Sequence, residues 1–364
     1  MTGSWIWRRE VQSDGGRKTL MSLAQALLTG DPGYLPSRRE EAWRWTDLRG
    51  LIRVLPPPAP AFCGDLPLAS FAAPFPTEEV VIVDGQGPTG LDIPAGETRR
   101  ISLRLINAAA GAGHVGRVRV SLEAGARAVL LQTHEALAGG YVGETQIDIS
   151  LGDGARLERL VLADDREDAV SVTISDVRLA RGAVFNDAVL TTGARRQRLE
   201  TRLTHAAGES EARLLGLYRL AGRRHADLTS LIEHESPGSA SDQLVKGTVD
   251  GQSRAVFQGR ILVRPGADRT DARMGHHALV LSDTAEVDAK PELEIYADDV
   301  SCAHGNTVGT LDDEALFYLR QRGMSEARAR AFLTEAYVSA VLDGITDQDL
   351  QTVARAWLAR EAAP

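Results

Sequence analysis

The 364-residue sequence is short of cysteine, of basic charge and of long apolar runs, and over one long stretch it has no proline. Each shortage excludes a class of protein. Two cysteines, Cys63 and Cys302, cannot build a disulfide framework. Lys and Arg number 41 against 50 Asp and Glu, a net charge of −9, so the basic excess that a phosphate backbone requires is missing and no nucleic-acid partner is expected. No apolar run approaches the roughly 18 residues of a membrane span, so no membrane partner is expected either. The amino terminus, MTGSWIWRREVQSDGG, lacks the apolar core of a secretory signal, which makes a reducing cytoplasm the expected compartment.

Proline divides the chain. Eleven of the fifteen prolines fall between Pro32 and Pro94, and none occurs from residue 95 through 236. Proline breaks helix interiors and cannot donate to a sheet ladder, so those 142 residues are free to form one uninterrupted hydrogen-bonded architecture. Residues 1–95 read as a helical segment followed by a Pro-rich linker, VLPPPAPAF, with residues 1–20 expected to be disordered.

From residue 96 to 305 the chain consists of short β-branched or alternating runs such as RRISLRLI, VGRVRVSL and ETQIDISL. Turn glycines recur at Gly125, Gly154, Gly182, Gly208, Gly238 and Gly266, in steps of 29, 28, 26, 30 and 28 residues. A period in this range predicts a solenoid whose rungs bury their apolar faces against one another. Because the rungs are strand-rich, the fold expected is mainly β, a parallel β-helix, with an evenly turned β-sandwich as the alternative. Residues 306–364 switch to helix. Thr310 with Asp313 has a capping-box pattern, and Ser325 opens a helix with Ala329, Phe332, Leu333, Ala336, Tyr337, Ala340 and Val341 on one face. Thr346 and Asp349 open a third, with Leu350, Val353, Ala354, Trp357 and Leu358 aligned, and together these helices are expected to cap the sheet.

Most catalytic motifs are missing as well. There is no GxxxxGK[ST] phosphate loop, no HExxH pair, no CxxC and no GxSxG elbow. Gly85, Gly87 and Gly90 imitate a dinucleotide fingerprint, but Pro88 interrupts it and strand-like sequence follows, so they read as turn glycines. His225, Asp227, His234 and Glu235 are scattered through strands; Asp227 and Glu235 would serve a stand-alone β-helix enzyme acting on polysaccharide. The densest chemistry lies in KPELEIYADDVSCAHGNTVG, residues 290–309. There Cys302 and His304, two apart on a strand, share a face. A thiolate beside an imidazole suits a transition metal or iron-sulfur chemistry, yet two ligands cannot close a tetrahedral site. Further ligands would come from a second protein or from a cluster itself. The alternative is a small buried Cys and a hydrogen-bonded His at the sheet-to-helix junction.

That stretch, together with SRREEAWRWTDLR (37–49), LVKGTVDGQSRAVFQGRILVRPGADRTDAR (244–273), LVLSDTAEVDAKPELEIYADDVSCAHGNTVG (279–309) and LDDEALFYLRQRGM (311–324), resembles the SufD family. The resemblance implies a right-handed parallel β-helix between helical ends. It implies a non-enzymatic scaffold subunit of the Suf iron-sulfur cluster assembly machinery, partnered by SufB and the ATPase SufC. It further implies that His304, with Cys302 beside it, meets a transient iron-sulfur cluster shared in trans with SufB, and that the helices near Phe317, Tyr318 and Leu319 dock SufC. A flavin in the complex and a homodimer of the isolated chain are left open. A SufB-like scaffold is the alternative; against it, the element continues as NTVGTL and Leu319 stands where such chains carry a cysteine. Two departures from the SufD pattern stand out. Asn306 follows the glycine where the family commonly has Ala, and His276 and His277 occupy the stretch MGHHALVLS, which is often Gln- and Asn-bearing.

Overall fold

A computed structural model describes residues 21–66, 68, 69, 71 and 78–362. The expectation for residues 1–20 lies outside the described residues. Among the described residues, seventeen strands run from β1 (Glu78–Val83) to β17 (Val300–Gly309). Odd-numbered strands form one nine-stranded sheet and even-numbered strands one eight-stranded sheet, each stacked in sequence order with every pairing between strands parallel. This is the parallel β-solenoid expected from the glycine period.

The period has a backbone cause. Gly125, Gly154, Gly182, Gly238 and Gly266 turn the chain with φ between 61° and 81°, where a Cβ would be strained. At the remaining position of the series the left-handed residue is Glu209 (φ 64°), the neighbour of Gly208. Gly85 (φ 76°) and Gly87 (φ 154°) sit in the turn after β1, so the apparent dinucleotide fingerprint is turn chemistry.

Alternate residues of each strand point into the solenoid. Ile101, Leu103, Leu130, Leu157, Phe185, Leu214, Val245 and Met274 belong to one continuous core along its length. The interior also holds charge. Arg159 makes two bonds to Asp187 (2.8 and 2.9 Å) and a third to Ser175 (3.0 Å). Such a pair tolerates burial because its donors and acceptors are matched.

The outer faces are covered as well, which is why the strands lack clean alternation. Leu23 and Ala26 of α1 (Leu23–Thr29) pack with Val142, Val170 and Val172 outside the even-numbered sheet. The following segment lays Trp43 on the Arg198 guanidinium (4.4 Å), while Arg198 bonds Asp227 and Glu200, each at 2.8 Å. Outside the odd-numbered sheet, Trp357, Leu350 and Val353 of the last helix (Gln348–Ala362) pack on Leu160, Leu162 and Leu190. The carboxy-terminal helices therefore lie along the side of the solenoid instead of capping its end.

Two helix starts differ from expectation by local chemistry. The helix at Asp313–Gln321 is capped by Asp312, whose carboxylate accepts from the Glu314 and Ala315 amides, not by Thr310. The helix at Gln348–Ala362 starts under Asp347, which accepts from the Asp349 and Leu350 amides. Ser325 caps the helix Glu326–Ser339 as expected, but the buried face is Ala329, Thr334 and Val338, leaving Phe332 exposed.

Candidate functional site

The solenoid ends on β16 (Glu286–Ile295) and β17, each paired on one side only. In β17, Cys302 stacks on Ala272, His304 on Met274 and Asn306 on His276, all three partners on β15 (Thr270–Val280) being buried. Parallel registry carries the facing of β15 onto β17, so Cys302, His304 and Asn306 share the inward face of the last rung. Among the described residues, that face has no further rung above it. Cys302 is half-buried against the core, while His304 and Asn306 are exposed. Neighbours on one face of a strand stand about 7 Å apart, close enough for Cys302 and His304 to meet one small inorganic group.

The two side chains differ in readiness. Burial pushes the Cys302 thiol up, and the nearby Asp271 adds to this against a hydrogen bond with the Ala272 backbone. Bound metal would have to displace that proton. The His304 ring is exposed and has no hydrogen-bond partner among the described residues. Nor, among the described residues, do three or more His, Cys, Asp or Glu side chains gather to hold a metal ion.

Behind this face runs a buried chain of polar groups. The His276 ring stacks on Phe257 (4.6 Å between centroids, 4° between planes), and burial lowers its pKa to about 4. Its Nε2 lies 3.0 Å from the Tyr218 hydroxyl and its Nδ1 lies 2.6 Å from Asn306 Oδ1. Facing a carbonyl oxygen, Nδ1 carries the ring proton and donates, so Nε2 accepts from the tyrosine. Tyr218 reaches across a whole rung because Gly247 lies between: a Cβ there would sit 2.1 Å from the tyrosine ring. On the outer face, His277 Nδ1 meets Thr307 Oγ1 at 2.7 Å. The two departures from the SufD pattern are thus bonded partners. Neither role was read from the sequence; the signal was the pair of departures, 30 residues apart.

The remaining candidates fall elsewhere. Phe317 and Tyr318 are exposed, 63% and 57%, on the helix Asp313–Gln321, whereas Leu319 is half-buried. Phe332, on the helix Glu326–Ser339, is exposed as well. Asp227 is fully buried, bonded to Arg198 and Thr46, and Glu235 pairs with Arg178 at 3.7 Å. His225 is buried beneath the Trp45 carbonyl, and His234 is stacked on His205 inside the solenoid. With Asp227 sealed beneath Trp43 and Thr46, the acidic pair considered for polysaccharide chemistry does not form.

Comparison with known proteins relates the chain to a family. Residues 104–337, more than half of the chain, match the family described as SUF system FeS cluster assembly, SufBD core domain. The iron-sulfur cluster assembly protein SufD of Escherichia coli is 29% identical over 403 aligned positions covering 95% of this chain and 93% of that protein. An iron-sulfur cluster assembly SufBD family protein of Synechocystis is 33% identical over 58% of this chain and 47% of its own length. One from Mycobacterium tuberculosis is 30% identical over 64% of this chain and 60% of its own length. The chain thus spans about half of the Synechocystis relative and nearly all of the E. coli protein.

Proposed function

The chain belongs to the SufBD family of the SUF iron-sulfur cluster assembly system and is a homologue of SufD, and from that premise we propose that it is a non-enzymatic scaffold whose open solenoid end helps to hold a nascent cluster. One observation carries the reading: Cys302 and His304 share the inward face of the last rung, where no further strand among the described residues covers them. An imidazole ring nitrogen is a good iron ligand, and a thiol becomes one on losing its proton. Two ligands leave a tetrahedral iron incomplete, so SufB supplies the others in trans across the junction. His304 is the primary ligand because its ring is exposed, whereas the Cys302 thiol is half-buried and protonated.

SufC docks on the helical side. Phe317 and Tyr318 are large apolar side chains left exposed, the kind that anchors an interface, with the half-buried Leu319 next to them in sequence. The chain has no phosphate loop of its own, so ATP chemistry is left to that partner. The whole assembly works in the cytoplasm.

Co-expression with SufB and SufC, followed by affinity isolation, tests this. His304→Ala leaves the complex at its normal mass while iron and acid-labile sulfide per complex fall severalfold. Unchanged iron and sulfide in that variant, or failure to recover any complex with the wild-type chain, would defeat the reading.

A further inference from the structure

Asn306 differs from its neighbours on the open face in being held from behind. Its Oδ1 is engaged by His276, which is itself fixed by ring stacking on Phe257 and by the Tyr218 hydroxyl. The fixed carbonyl oxygen fixes the rest of the planar amide. Its NH2 group, two donors, has no acceptor among the described residues and belongs to the same exposed face as Cys302 and His304. A donor oriented by a buried network costs little ordering entropy when it meets an anionic acceptor. The group it would meet, given the reading above, is sulfur: sulfide or cysteinate in a nascent cluster carries negative charge and accepts N–H hydrogen bonds.

On the premise that a cluster forms at Cys302 and His304, we infer that Asn306 is a positioning residue for it. Its amide donates to a cluster sulfur, and Tyr218 and His276 hold that amide in place. Three observations converge on this arrangement. Gly247 leaves the space that lets Tyr218 span a rung, His276 is fully buried although it sits one rung from the open end, and Asn306 is the side chain that this buried chain presents to the exposed face. A purely structural use would be complete at His277 and Thr307, whose bond already ties the outer side of β17 to β15. Asn306 adds a polar group on the side where a cluster sits.

The test uses the complex isolated after co-expression with SufB and SufC. Resonance Raman spectra in H2O and D2O read N–H···S bonding directly, through the isotope shift of the iron-sulfur stretching bands. Asn306→Ala retains the complex and its iron but loses part of that shift, lowers the reduction potential, and releases iron to a chelator about tenfold faster, the scale of an outer-shell contact. Tyr218→Phe, which keeps the ring and removes only the hydroxyl, moves all three readouts the same way by less. Combined with Asn306→Ala it adds nothing, because the residues act as one unit. An unchanged isotope shift and release rate in Asn306→Ala, with the cluster lost in His304→Ala, would overturn the role of Asn306 alone. A full cluster in His304→Ala would instead overturn the reading on which that role depends.

Discussion

The two ends of the solenoid are built from similar residues and finished differently. The first rung consists of β1 and β2 (Gly90–Ile93), and its Val80, Ile82, Val83, Leu91 and Ile93 are between 1% and 8% exposed. Its second strand is only four residues long, and after β1 a tight turn joins Val83 to Gln86 and brings Gly87 against Ile82. The last rung has two full ten-residue strands, yet its Val287, Leu293, Val300 and Cys302 are only partly covered, and Ile295 is 40% exposed. The short first rung keeps its apolar side chains buried, whereas the full-length last rung leaves a row of backbone groups and half-covered apolar side chains. Pro291 and the charged Asp288, Lys290, Glu292 and Glu294 on β16 are the residues that keep such an edge from pairing indiscriminately. The difference teaches that the candidate ligands lie at the end whose apolar residues stay half-covered among the described residues.

The sharpest way to separate the unfinished end from the sealed middle is to break a contact that exists only in the middle. Asp187→Ala strands the Arg159 guanidinium inside the solenoid, with Ser175 as its remaining partner. Removing one member of a buried ion pair costs about 3–5 kcal/mol. Urea unfolding of the isolated chain should show a midpoint lowered in proportion. A loss of less than about 1 kcal/mol would mean that water reaches the interior and that middle and end are alike in solvation.

How much of this was legible in the sequence follows from which distances the sequence displays. Turn glycines repeat along the chain, so rung length and parallel stacking could be read from Gly125 through Gly266. The face of the last helix was also readable, since Leu350, Val353, Ala354, Trp357 and Leu358 obey one helical period and all are buried. The interior polar pairs were not. Arg159 and Asp187 are 28 residues apart and Tyr218 and His276 are 58 apart, separations that mean contact only once the register is known. The amphipathic face expected of Glu326–Ser339 was misplaced because Thr334, a polar residue, faces inward while Phe332 faces out. Among the site residues, Cys302 and His304 could be named from their spacing. Asn306 could be flagged only as an irregularity, because its partner lies in another rung.

Acid tests the buried interior, as far as the rung behind the open end, with a smaller effect. His225 and His234 are buried in the interior rungs, each with its pKa lowered to about 4 chiefly by burial. In the unfolded chain each titrates near the ordinary histidine value of about 6.5. Above that value both states are neutral and the native state bears no penalty. As pH falls from about 6.5 toward 4 the unfolded chain takes up protons that the native chain refuses, so stability declines with acid. Between pH 7 and pH 5 the loss is about 2 kcal/mol for each such histidine. His234→Leu should therefore flatten the dependence of the thermal midpoint on pH over this range. An equally steep profile in that variant would show that the stacked His205 and His234 pair is solvated.

The smallest effect expected on the isolated chain comes from the open end itself, and its size is the point. Leu293 faces inward on the last rung but is only half-buried, so Leu293→Ala gives up little area that the free chain had removed from water. The cost should be under about 1 kcal/mol, at the lower edge of what buried apolar truncations produce. Ile82→Ala, on the matching inward face of the first rung and 3% exposed, should cost about 2–4 kcal/mol. If SufB covers the last rung as proposed, Leu293 becomes as enclosed there as Ile82 is from the start. The same Leu293→Ala change should then weaken the complex by roughly tenfold or more in dissociation constant, measured by titration calorimetry or analytical ultracentrifugation. A large loss in the free chain with none in the complex would mean that the last rung is finished within the chain and that the partner binds elsewhere.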